Sequence, residues 1–140
     1  MEEVALKEFV EKCKERFKEK LVSVIFFGSR VKGYAKEDSD YDLLIIAKDL
    51  PGIKERFSLV EDLEDEIWKK YGIKISSILV EPEEIFEPVN PLLFGVLTGY
   101  KVLFGEEAFR ENLKKSKEWI EKMNPIYVEG EKEWEVKKLI

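Results

Sequence analysis

Two hydrophobic periods alternate along this chain. Leu6, Phe9, Val10, Cys13 and Phe17 recur at steps of three or four residues and predict an amphipathic helix over about 3–20. Val22 to Phe27, β-branched and aromatic, follows as a buried strand. A short helix is expected at 29–35, and the run Leu43-Leu44-Ile45-Ile46 predicts a second strand at 41–47. Asp49-Leu50-Pro51-Gly52 is a turn signal. Phe57, Val60, Leu63, Ile67 and Trp68 then mark a second amphipathic helix that ends near Tyr71. A third strand at 73–80 stops at Glu81-Pro82. This α-β-α-β-α-β order predicts an α/β (α+β) fold, a small mixed sheet with helices packed on one face. Its core is expected to hold Val24, Ile25, Phe26, Leu43, Leu44, Ile45, Ile75 and Leu79, beneath the helices around 3–20 and 54–71.

The last third carries weaker patterns. Asn90 to Thr98 reads as a short apolar helix, and Lys101-Val102-Leu103-Phe104-Gly105 as an edge strand or an extended link. Phe109, Leu113, Ser116, Ile120 and Met123 predict a final amphipathic helix closed by Asn124-Pro125. Beyond it Tyr127, Val128, Trp134, Val136, Leu139 and Ile140 are apolar residues in a charged tail, suited to packing back on the domain or meeting a partner. Trp119 and Trp134 are expected to pack at the edge of the core rather than to stack on a base. No repeat or linker divides the chain, so 1–140 is expected to be one domain, with 106–140 a C-terminal helix and tail.

Composition narrows the chemistry. The chain has no histidine, which excludes Ser-His-Asp triads, imidazole bases and histidine-ligated zinc. Cys13 is the single cysteine, so no intramolecular disulfide or thiolate metal site can form. A formal charge of −6 argues against binding duplex nucleic acid, whose affinity rests on a basic face. No window reaches the length of a membrane span, and Met1-Glu2-Glu3-Val4 is unlike a signal peptide. A cytoplasmic location is therefore expected.

The chemistry lies where the first two strands meet. Gly28 lets the chain turn sharply after the first strand and leaves room for a phosphate to approach. Ser29 then opens a helix whose first amides lack intrahelical partners, and its hydroxyl can donate to a phosphate oxygen. Arg30, Lys32 and Lys36 add positive charge to the same loop. After ten intervening residues comes Asp40-Tyr41-Asp42. Alternation along a strand points Asp40 and Asp42 the same way. Carboxylates this close repel each other unless a cation lies between them. Mg²⁺ or Mn²⁺ suits such a pair, with substrate phosphates and water as the remaining ligands.

Gly28-Ser29-Arg30 with Gly33, followed by Ser39-Asp40-Tyr41-Asp42-Leu43-Leu44-Ile45, resembles the polymerase-β-type nucleotidyltransferase superfamily. More narrowly it is similar to the minimal nucleotidyltransferases of prokaryotes. The resemblance implies a palm-like nucleotidyltransferase fold. It implies a nucleotide site at Gly28 and Ser29, with Arg30 and Ser39 beside them, and a metal site at Asp40 and Asp42, which are also the catalytic residues. The expected reaction is Mg²⁺-dependent transfer of a nucleoside monophosphate, AMP from ATP, to a hydroxyl on a protein or small molecule. The resemblance also implies a partner, a small helical HEPN-type protein for which such chains act as antitoxins. It leaves open an alternative, a nucleotide-binding module with reduced catalysis. That alternative comes from one departure. The superfamily places a third carboxylate on the next strand, and here that position falls near Ser76 or Ser77, with Glu81, Glu83 and Glu84 as substitutes from the strand's end.

Overall fold

A computed structural model describes residues 2–123. The expected turn at Asn124-Pro125 and the apolar tail residues, Trp134 among them, lie outside the described residues. Helix α1 (Glu2–Phe17) leads through a 3₁₀ turn into strand β1 (Leu21–Phe27). Helix α2 (Ser29–Lys32) is one turn, shorter than the expected 29–35, and ends where Gly33 takes a left-handed conformation. Strand β2 (Tyr41–Ala47) precedes α3 (Ile53–Arg56), a 3₁₀ turn, and α4 (Glu61–Tyr71). Strand β3 (Ile75–Val80), α5 (Pro82–Ile85), α6 (Pro91–Leu97), strand β4 (Tyr100–Phe104) and α7 (Glu106–Lys122) complete the order.

The four strands form one mixed sheet in the order β3-β2-β1-β4. β1 runs antiparallel to β2 and to β4, whereas β2 and β3 are parallel. This topology decides where the chemistry goes. The end of β1, the start of β2, the start of β3 and the start of β4 all meet at one end of the sheet. Phe27 pairs there with Asp42 and with Tyr100, and Asp42 pairs with Ser76.

Alternation along the central strands divides the core into two layers. Val24, Phe26, Leu43 and Ile45 face α1 and α4, where they meet Leu6, Phe9, Cys13, Leu63 and Ile67. Ile25, Leu44 and Ile46 face the other way, onto Ile85, Phe86, Leu93, Val96, Phe109 and Ile120. All eight expected core residues are buried. Helices therefore cover both faces, where the sequence suggested one. The second cover is assembled from short pieces, tied by edge-on contacts of Phe109 with Phe86 and Tyr100 and by Ser116 Oγ donating to the Phe86 carbonyl at 2.8 Å. None of those pieces except α7 is long enough to show a period of its own. Lys101 to Phe104 lies in β4, an edge strand, and Asn90 caps α6 by accepting from the Leu92 amide. Trp119 packs, partly buried, against the second layer, while Tyr34 is exposed.

Candidate active site

The turn after β1 is built around a close contact. Gly28 adopts φ +89°, a conformation that favours glycine, and a Cβ there would collide with the Asp42 carboxylate. The space that glycine leaves is thus occupied first by a carboxylate of the neighbouring strand. Ser29, Arg30 and Val31 open the first turn of α2, so their amides have no carbonyl four residues back within the helix. Asp42 is thus packed against the residue that immediately precedes these amides.

Arg30 behaves differently from a free phosphate ligand. Its Nε and Nη2 donate to the Ser39 carbonyl at 2.9 and 2.7 Å, and Nη2 also reaches the carbonyls of Glu37 and Lys36. The guanidinium lies over the Tyr41 ring, 4.1 Å from its centroid. Ser39 Oγ accepts from the Lys36 amide at 2.9 Å. Both side chains close the loop between α2 and β2. The arginine's charge is committed to loop carbonyls, a use that a basic residue in a glycine-bounded loop does not announce.

Asp40 and Asp42 are both partly buried at the mouth of β2. Burial pushes the Asp42 carboxyl above the usual aspartate range, and the nearby Asp40 charge adds to the rise. Asp40 has one cationic neighbour, Lys74 Nζ at 3.9 Å, on a well-exposed side chain. Among the described residues no group of three or more His, Cys, Asp or Glu side chains is arranged to hold a metal ion. The two aspartates nonetheless fit Mg²⁺: hard oxygen donors, mutual repulsion and partial burial are what a divalent cation relieves, provided substrate phosphates and water complete its shell.

The parallel register distinguishes the two serines of β3. Asp42 pairs with Ser76, whereas Ser77 pairs with the buried Leu43 and its amide donates to Glu64 Oε2 at 2.9 Å. Ser76 therefore shares the face of Asp42. The substitutes Glu81, Glu83 and Glu84 lie at the other end of β3, roughly 16 Å along the strand from Ser76. Glu84 is there bound by Arg56 at 2.7 and 3.1 Å, which holds it below the usual glutamate range, and Glu81 and Glu84 cap α5 reciprocally. They cannot serve this site. Cys13 is buried, which pushes its thiol up to about 12, so it supplies no thiolate.

A sequence profile for the family described as polymerase beta, nucleotidyltransferase matches residues 11–89. A Methanocaldococcus jannaschii protein whose name proposes a protein adenylyltransferase is 44% identical over 138 residues, covering 96% of this chain and 94% of its own. The chain belongs to the polymerase β nucleotidyltransferase family. Its fold is shared with a chain of a toxin–antitoxin crystal structure with AMP-PNP, at a TM-score of 0.59 and 20% identity, covering 89% of this chain and 91% of that one. A chain of the tri-AMPylated Shewanella oneidensis HEPN toxin in complex with MNT antitoxin gives a TM-score of 0.53 at 18% identity, covering 93% and 92%.

Within this nucleotidyltransferase, two groups beside Asp40 escape a reading of the sequence motif alone. Glu64 is half-buried, which pushes its carboxyl upward, and it lines the same cavity as Asp40 and Ser76. Phe57 and Trp68, both assigned to the apolar side of the second amphipathic helix, are 57% and 56% exposed on that cavity's rim. Trp68 directly follows the buried Ile67, so it stands about 100° away from the core face of α4. That angular offset was the available signal.

Proposed function

We propose that this protein transfers AMP from ATP to a hydroxyl of a protein partner. The observation that supports the reading is the packing of the Asp42 carboxylate, to which we assign a metal ion, against Gly28, the residue that precedes the free amides of α2. The Methanocaldococcus relative, similar over nearly the full length of both chains, supports the same reaction class.

In this reading the backbone at Gly28 and Ser29 and the Ser29 hydroxyl hold the triphosphate. Arg30 and Ser39 keep the loop in shape around it. Asp40 and Asp42 hold Mg²⁺, which when bound neutralises charge on the phosphates. The acceptor hydroxyl oxygen forms a bond to the α-phosphorus as the bond to the β-phosphate oxygen breaks. Pyrophosphate leaves, and the hydroxyl proton passes to a base or to solvent. Positioning and charge stabilisation do most of this work. A helical HEPN-type protein is the partner we assign, because the neighbours that share this fold include chains from such toxin–antitoxin complexes.

One observation favours a second reading, a binding module with reduced turnover: Ser76, neutral and a weak metal ligand, stands beside Asp42 where a third carboxylate would act. Calorimetry tests the site common to both readings. ATP with Mg²⁺ should bind the parent, and Asp40→Asn with Asp42→Asn should remove the metal-dependent part of the affinity. Equal affinity in parent and double variant would overturn the assignment.

A further inference from the structure

Helix α4 carries two kinds of acid. Asp62 and Glu66 turn toward α1, where they pair with Arg16 and Lys12. Glu61, Glu64 and Asp65 turn the other way, into a cavity of about 650 Å³ that also takes in Asp40 and Ser76. Glu61 and Asp65 make no ion pair or side-chain hydrogen bond among the described residues, and Lys74 is the single cation in the lining. With Trp68 they occupy positions i, i+3, i+4 and i+7, so carboxylates and an indole share one helical face. The helix dipole accounts for acids in the first turn. It does not account for Trp68, nor for Phe57 of the preceding 3₁₀ turn, standing more than half exposed beside the cavity, when α4 buries Leu63 and Ile67 in the core.

Two exposed aromatic side chains beside carboxylates, two of them unpaired, recognise cations through charge and through the faces of the rings. We infer that this face docks the acceptor, a protein segment that carries Lys or Arg side chains beside the hydroxyl to be modified. The inference rests on the nucleotidyl-transfer reading and adds to it where the acceptor lies: on the β3 edge of the sheet, entering past α4, with its hydroxyl arriving at Asp40 and Ser76. The chemistry of the occupant follows from the lining, four carboxylates against one lysine.

The test uses the full chain and a fluorescein-labelled peptide of about ten residues with one serine flanked by lysines and arginines, and a twin with glutamates in their place. By fluorescence anisotropy at low ionic strength the basic peptide should bind at least about tenfold more tightly than the acidic one. Glu61→Lys with Asp65→Lys should erase that difference, and Trp68→Ala should weaken binding while leaving Mg²⁺-ATP affinity unchanged. A matched reversal elsewhere, Glu3→Lys with Glu107→Lys, should leave peptide binding as it was, which separates a docking face from the pull of an acidic protein. Failure of the basic peptide to bind, equal binding of both peptides, or equal losses from both double reversals would overturn the inference. Peptide binding that depends on Glu61 and Asp65 in a protein indifferent to Asp40→Asn with Asp42→Asn would instead sustain the docking face and sink the nucleotide site.

Discussion

The two ends of the sheet treat charge in opposite ways. At the far end Arg56, with its side chain 11% exposed, donates to both oxygens of Glu84 and to the carbonyls of Pro51 and Leu79. Ser23 Oγ closes the same region by donating to the Gly105 carbonyl at 2.8 Å. At the near end two carboxylates crowd each other, one pressed against a backbone turn, with the solvent-facing Lys74 beside Asp40 and Arg30 committed to loop carbonyls. The far end satisfies itself. The near end does not, and unrelieved charge in a fold otherwise consistent across levels supports the ligand site proposed there.

The largest effect should come from completing the near end. Ser76→Asp supplies the carboxylate that the register places beside Asp42, and labelled AMP transfer from ATP to the partner should rise by about 10²–10⁴-fold. An unchanged rate would put the base outside β3. At the far end, Arg56→Ala leaves Glu84 without its partner and should cost about 3 kcal/mol in denaturant unfolding, while Mg²⁺-ATP affinity stays as it was. If affinity fell as steeply as stability, the two ends would be energetically coupled and the contrast between them lost.

Gly28→Ala should cost about 2 kcal/mol, from the strained φ and the displaced Asp42 carboxylate, and should weaken Mg²⁺-ATP binding by roughly tenfold. Unaltered calorimetric affinity would show that the close approach is dispensable. The smallest effect concerns pH. The folded-state carboxyl of Asp42 lies above its unfolded value, so the folded state holds its proton more tightly. Its ionisation therefore removes stability as pH rises from the ordinary aspartate range through the raised value. Without metal, Asp42→Asn should raise the melting temperature at pH 7 by about 2 °C, and the gain should vanish at acidic pH. A variant less stable than the parent at pH 7 would mean that Asp42 is satisfied within the fold.

Much of this arrangement could be read from residue order because it depends on local periods. Apolar runs at Val22 to Phe27 and Leu43 to Ile46 marked two strands, and the antiparallel pairing of those strands in the structure brings Gly28 next to Asp42. What escaped was long-range. Nothing local to β3 distinguishes Ser76 from Ser77; only pairing with β2 does. Glu81 directly follows β3 in sequence but stands at the end opposite Ser76, because a strand runs away from its start. Helices on the second face come from segments too short to display a period, and Trp68 fits a 3–4 residue pattern although its neighbour Ile67 takes the core position.

The Arg30 clamp has a kinetic meaning. One guanidinium gathers the carbonyls of Lys36, Glu37 and Ser39 and rests on Tyr41. The loop entropy is consequently surrendered during folding, before any nucleotide arrives. In the proposed reading an incoming triphosphate meets a loop that is already closed, so its encounter is governed by diffusion and charge rather than by waiting for the loop to form.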